Sequence, residues 1–162
     1  MTGRERVLAL LRGETVDRPP VMPLVMMRGA DQAQVRYLDY VRDAGVHAAV
    51  QVRAAEDFGL DHVSSISDPA REASDCGAAL RYFDDQPPAL DEGNALLADK
   101  GRLPGLAIPD PRTGPRMRKG LEVLRLLRDR THGEKAVEGW VEGPCAQAAD
   151  LRGMNRLMTD FY

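Results

Sequence analysis

Cysteine is scarce in this 162-residue chain: two residues, too few for a disulfide framework and suited to a reducing compartment. Aromatic residues make up only 5% of it, and there is one tryptophan. No domain-wide excess of positive charge exists, since 22 basic residues face 25 acidic ones. A nucleic-acid binder acting through bulk basicity is therefore disfavoured. Long apolar runs are missing as well. The longest, Val21 to Met27, is interrupted by Pro23, so nothing in it spans a membrane. The amino-terminal apolar stretch is closed by Arg12 and does not read as a signal peptide. Cytoplasm is the expected location. Lysine is rare: only three of the basic residues are Lys and the rest are Arg. That bias fits base composition, and equally fits arginines that grip carboxylates or phosphates by bidentate pairing.

What is present is enough apolar sequence, 43%, for one ordinary core. Thr2 and Glu5 form a T-x-x-E capping box ahead of a first helix that Gly13 stops. The segment Val21 to Met26 reads as a first strand, with Pro23 placing it at an edge or near one end. Asp31 is the expected cap of a second helix. Gly45 interrupts it, and its pattern resumes to Phe58 before Gly59. Asp61 to Ser67 is the second strand, followed by a short helix over Ala70 to Cys76 that Gly77 closes. Leu80 to Phe83 is the third strand, and Asp91 to Ala98 a further short helix. Residues 101–115 are rich in Gly and Pro and read as a long irregular loop. An amphipathic helix through Met117, Leu121, Leu124 and Leu127 should stop at His132-Gly133. Ala136 to Val141 is the fourth strand, Ala146 to Leu151 is helical, and Asn155 caps a last helix. Alternating strands and helices predict an α/β fold with a parallel sheet.

In such folds functional side chains gather beyond the carboxyl ends of strands. Asp68 follows the second strand, where it would bind a cation, accept from a ligand N–H, or simply cap the next helix. Glu142-Gly143-Pro144-Cys145 follows the fourth; Gly143 lets a ligand approach, or merely makes a turn. Arg28 follows the first and is placed to hold a carboxylate, or to sit in solvent. His47, His62, His132, Cys76 and Cys145 have no metal-ligand spacing, so no metal site is expected within the chain. No G-x-G-x-x-G or G-K-[ST] supports a nucleotide.

Taken in order, these segments resemble one family. Arg4 to Glu14 followed by Val16-Asp17-Arg18-Pro19-Pro20-Val21-Met22-Pro23 resembles the opening of the uroporphyrinogen decarboxylase family. Ser67-Asp68-Pro69, with Gly77 and Pro87-Pro88, is similar to its second-strand aspartate segment. Gly139-Trp140-Val141-Glu142-Gly143-Pro144 and Ala149-Asp150-Leu151-Arg152-Gly153 are similar to its fourth-strand segment. The resemblance implies a (β/α)₈ TIM barrel. Residues 1–162 would be its N-terminal half, about the first four strands with an N-terminal helix, and by itself inactive. It implies a small-molecule substrate, no nucleic acid or membrane partner, and a homo-oligomer. Two chemistries belong to the family: cofactor-free decarboxylation of a tetrapyrrole polycarboxylate, and methyl transfer from a corrinoid to a thiol with zinc. In the first, Asp68 is the counterpart of the aspartate that contacts pyrrole N–H groups and stabilises the charge of the protonated ring. Arg28, Ser67, Glu142, Gly143 and Asp150 are then expected around the substrate. No cofactor is expected in this chain; zinc and a corrinoid enter only with the methyltransferase alternative. Met27-Arg28-Gly29-Ala30-Asp31 keeps one arginine where the decarboxylases have a pair, and Asp150 stands where they have a tyrosine. Both departures lean toward the methyltransferase branch.

Overall fold

A computed structural model describes residues 1–162. The first helix, α1 (Gly3–Leu11), starts on the expected capping box: Thr2 N–H donates to Glu5 Oε2 (2.8 Å) and Glu5 N–H to Thr2 Oγ1 (3.2 Å). Beyond it, the expected first strand does not form. Residues 21–25 are extended but carry no sheet ladder, because Pro19, Pro20 and Pro23 lack the N–H groups a ladder needs. One backbone bond and two side chains take the ladder's place. Val21 accepts from the backbone N–H of Asp61 (3.0 Å) and donates to Asp61 Oδ2 (2.7 Å). Gln51 then bridges the far end, donating to Val25 O (2.6 Å) and accepting from Ser64 N–H (3.1 Å). The segment therefore runs alongside residues 61–64 in the same direction.

Three helices follow: α2 (Met27–Ala33), α3 (Tyr37–Arg42) and α4 (Ala44–Asp57). Asp31 lies inside α2 rather than capping it, and the break falls at Gln34, which adopts a left-handed conformation at φ 57°. Gly45 sits in the first turn of α4, whose cap is Asp43, accepting from Val46 N–H at 2.9 Å.

Strand β1 (His62–Ser64) is fully buried, and α5 (Arg71–Asp75) follows it. The expected third strand is a correction. β2 (Leu80–Arg81) pairs antiparallel with β3 (Ala89–Leu90) in a separate hairpin around Pro87-Pro88. Its two-residue strands, not a parallel strand of the main sheet, occupy that stretch. The helix expected over 91–98 shrinks to a 3₁₀ turn at Glu92–Asn94, and a second such turn, Lys100–Gly105, lies in the Gly/Pro-rich segment. Helix α6 (Pro115–Thr131) ends at left-handed His132 (φ 50°) and Gly133, as the sequence predicts. β4 (Ala136–Glu138) pairs in parallel with β1, His62 opposite Ala136 and Ser64 opposite Glu138. α7 (Pro144–Arg152) and α8 (Met154–Thr159) complete the chain; α8 begins at Met154, so Asn155 lies within it.

The result is a helix-rich α/β fold whose parallel sheet holds two short strands rather than four. Its main core lies between that sheet and helices α4 and α6, where Val25, Ala48, Ala54, Val63, Val123 and Leu127 meet. Burying each of the larger side chains is worth about 1.5–3 kcal/mol. The underside of the sheet is clamped by charge. Asp61 accepts from Arg6 Nη1 (2.5 Å) and Arg18 Nη1 (2.6 Å), and Arg6 also grips both oxygens of Asp17 (2.6 and 2.7 Å). That clamp fixes α1 against the start of β1. No helix is long and apolar enough to cross a membrane.

Candidate functional site

β1 and β4 run parallel, so the segments after them, Ser65–Asp68 and Gly139–Gly143, emerge at the same end. The first is wholly buried. Two tyrosines pin it: Tyr37 OH donates to Ser67 O, and Tyr40 OH to Ile66 O at 2.8 Å. Burial pushes both phenols above their ordinary value, so both are donors at neutral pH.

Asp68, 1% exposed, is fully engaged. Its Oδ1 accepts from Ala70 N–H (3.2 Å) and Arg116 Nη1 (2.9 Å); its Oδ2 accepts from Ser67 Oγ (2.8 Å) and Arg116 Nη2 (2.5 Å). It caps the turn into α5 and closes a bidentate ion pair with α6. Arg116 is in reach because α5 caps α6: Asp75 accepts from the backbone N–H groups of Arg116 (3.1 Å) and Met117 (2.8 Å). α6 has no cap of its own.

Arg71, also buried, ties the two strand ends together. It donates to Ser65 O (3.4 Å), to Trp140 O and, through Nε and Nη2, to Glu72 Oε1 (3.0 and 2.8 Å). Gly120 makes room for it; a Cβ there would lie 2.9 Å from Arg71 Nη1. Trp140 N–H donates to Ser65 Oγ (3.1 Å), and its indole Nε1 donates to Glu142 Oε1 (2.8 Å). Beside them runs a cleft of about 190 Å³, lined chiefly by Trp140, Met117, Leu121 and Leu124.

Carboxylate oxygens without partners collect at this end. Burial, then the charges of Glu142, Glu72 and Asp68, push the Asp150 carboxyl up to about 6. Asp150 Oδ2, Glu72 Oε2 and both amide atoms of Gln147 are shielded from solvent with no hydrogen-bond partner.

Of the residues expected around a substrate, Ser67, Asp68, Glu142 and Asp150 thus share one end and one electrostatic environment. Gly143 is exposed at the start of α7. Arg28 is exposed on α2 and makes no ion pair or side-chain hydrogen bond. Arg71, Glu72, Arg116, Lys119 and Gln147 escaped the sequence reading, because their neighbours lie far along the chain or are supplied by the fold. No three His, Cys, Asp or Glu side chains converge to hold a metal ion. Cys76 is half-buried, its thiol pushed up by burial, and Cys145 is exposed.

Residues 2–162 match the uroporphyrinogen decarboxylase (URO-D) family. Among solved structures, a methyltransferase from Methanosarcina mazei shares the fold with a TM-score of 0.84 at 21% identity. That match covers 98% of this chain and 48% of the methyltransferase, so the chain spans about half of its length. No curated protein matches the chain.

Proposed function

The chain belongs to the uroporphyrinogen decarboxylase family, and we propose that within it the chain forms the first part of a (β/α)₈ barrel of the methyl-transferring rather than the decarboxylating kind. The observation that carries this reading is the state of Asp68. A decarboxylase needs that carboxylate free to accept pyrrole N–H groups, with free arginines to receive substrate carboxylates. Here all four acceptor positions of Asp68 are occupied, and the buried arginines, Arg116 and Arg71, are bound to Asp68 and Glu72. The atoms left without partners are acidic or neutral instead: Glu72 Oε2, Asp150 Oδ2 and both amide atoms of Gln147. A polycarboxylate would meet repulsion there.

The periphery of a corrinoid is rich in neutral amides, whose N–H groups match carboxylate oxygens and whose carbonyls match an amide NH2; to meet Glu72 Oε2, Asp150 Oδ2 and Gln147, all covered here, the corrinoid would have to displace the side chains over them. Bound there, it would supply the methyl group. The chain's own residues would do the rest. The Asp68–Arg116 pair is a rigid, internally neutral floor. Asp150, whose carboxyl burial pushes up to about 6, can hold or release a proton at Oδ2 near neutral pH. Zinc is a different matter. Both His47 nitrogens are engaged, by Lys119 and Ser64 O, and no donor set converges. The residues of this chain do not fit zinc, and no step here is routed through it.

The test is ligand binding to the purified chain. Equilibrium dialysis against hydroxocobalamin should show saturable binding, weakened at least threefold by Gln147→Leu, while uroporphyrinogen should neither bind nor react. Uroporphyrinogen turnover abolished by Asp68→Asn would restore the decarboxylase reading. Binding of neither ligand would favour a non-catalytic role for these residues.

A further inference from the structure

Only three lysines occur in the chain, and Lys119 is unlike the other two. Lys100 is exposed and paired with Asp160 at 2.6 Å; the Lys135 ammonium donates to Leu60 O at 2.6 Å. Lys119, half-buried on α6 one turn past Arg116, has no carboxylate partner at all. Its Nζ has two neighbours fixed by the fold: Tyr40 O at 3.0 Å and His47 Nδ1 at 3.0 Å.

Both neighbours are acceptors. His47 is wholly buried and stacked on Tyr40 at 4.1 Å, and its Nε2 lies 3.2 Å from Ser64 O. A carbonyl oxygen can only accept, so Nε2 carries the ring hydrogen and Nδ1 offers a lone pair. A neutral amine has two hydrogens and one lone pair. Tyr40 O and His47 Nδ1 take the two hydrogens, and the lone pair is left directed away from both. An ammonium at the same place has a third N–H with no protein oxygen or nitrogen to accept it, its one further neighbour being the Tyr40 ring, 5.9 Å from Nζ. Burial and the guanidiniums of Arg116 and Arg71 bring the Lys119 ammonium down to about 7, against the opposite pull of Asp68 and Asp43. Burial likewise keeps His47 neutral.

From this geometry we propose that Lys119 is a nucleophilic amine that captures a small aldehyde or ketone as an imine, with His47 as its proton relay. The nitrogen lone pair attacks the carbonyl carbon, forming the C–N bond and moving the carbonyl π pair onto oxygen. His47 Nδ1 takes the first proton that the nitrogen sheds and returns it to that oxygen, giving the carbinolamine; it relays the second amine proton in the same way, and the oxygen leaves as water as the C=N bond forms. The balance is one amine plus one carbonyl to one imine plus water, with no redox partner. The inference rests on the surroundings of Lys119 alone and stands or falls separately from the methyl-transfer reading.

Competitive labelling tests it on the intact chain. Limiting formaldehyde with cyanoborohydride is added at pH 7, and initial rates at Lys100, Lys119 and Lys135 are read by peptide mass spectrometry. Lys119 should react at least tenfold faster than either of the others, with a rate that levels off above a midpoint near pH 7. The rates at Lys100 and Lys135 should still be rising at pH 9. His47→Gln, if its circular dichroism is unchanged, should slow Lys119 and leave the other two unaffected. A Lys119 rate at or below that of Lys100 at pH 7, a profile parallel to that of Lys100, or labelling of Lys119 only in urea would each overturn the proposal.

Discussion

Neutralising Asp68 while keeping its shape, Asp68→Asn, isolates the contribution of the ion pair to the fold. Asp68 is 1% exposed and the Arg116 side chain 12%, so solvent and salt screen the pair little. Removing one partner of a buried pair typically costs about 3–5 kcal/mol. The two partners are not equivalent. With Arg116→Met, Asp68 keeps the donors Ser67 Oγ and Ala70 N–H. With Asp68→Asn, the amide oxygen can still accept from one Arg116 N–H, but the guanidinium loses its counter-charge and its other N–H faces the amide NH2. Arg116→Met should therefore cost near the lower figure and Asp68→Asn near the upper. The double variant buries no unpaired charge and should be less destabilised than the sum by about 2–3 kcal/mol, within the range for coupled neighbours. Urea unfolding of the four proteins, with sucrose present throughout to keep each folded at zero urea, measures the cycle. Additivity within about 0.5 kcal/mol would refute the reasoning, since it would mean that the two side chains do not meet in solution.

Stability should also depend on pH through Lys119. Its folded-state pKa of about 7 lies below the ordinary lysine value, so the unfolded chain binds more protons between pH 7 and roughly 10. Stability should rise across that window, and Lys119→Met should flatten the rise; urea midpoints at pH 7 and 9 that move equally in both proteins would contradict this. Gly3→Ala should lower the melting temperature, because its Cβ would lie 2.5 Å from the backbone oxygen of Asp61, which cannot yield without moving α1 off β1. Overpacking of that kind costs about 1–3 kcal/mol, and an unchanged transition would place α1 elsewhere. The chain should self-associate through its exposed apolar residues Val137, Val141, Met154, Met158 and Phe161. Sedimentation velocity should show a concentration-dependent species, whereas a single monomer boundary at every concentration would sink the idea.

Local signals carried well from sequence to structure. The capping box of Thr2 and Glu5, the stop at His132-Gly133 and the placement of β1 and β4 depend on residues a few positions apart, and each formed where the pattern put it. What failed needed distant partners. The segment over 21–25 has the composition of a strand, but its prolines remove the donors and Gln51, from α4, stands in for the ladder. The stretch at Leu80 became half of a hairpin because Ala89–Leu90 offered a nearer partner than the parallel sheet. In the site, Asp68 was legible from its position after a strand. Its partner Arg116 was not, because 48 residues separate them and only the cap that Asp75 gives to α6 brings them together.

The arginine bias shows how composition and site connect. A chain with 19 arginines and three lysines is stocked for bidentate pairing, and such pairing alone leaves open whether the carboxylates belong to a ligand or to the protein. In the fold many belong to the protein: Arg6 grips Asp17, Arg36 grips Asp39, Arg116 grips Asp68 and Arg152 grips Asp160, each through two hydrogen bonds. Two of these four, Arg6 and Arg116, anchor opposite ends of the same strand, β1. Arginine here acts as a fastener of loops to strand ends. Every guanidinium so used is withdrawn from the pool that a polyanionic substrate would require. The acids near Asp150, by contrast, keep free oxygens under cover. What stays uncompensated at the strand ends is therefore acidic, the Asp150 carboxyl above all, although basic residues surround it, and that inversion is what the proposed preference for N–H groups over carboxylates rests on.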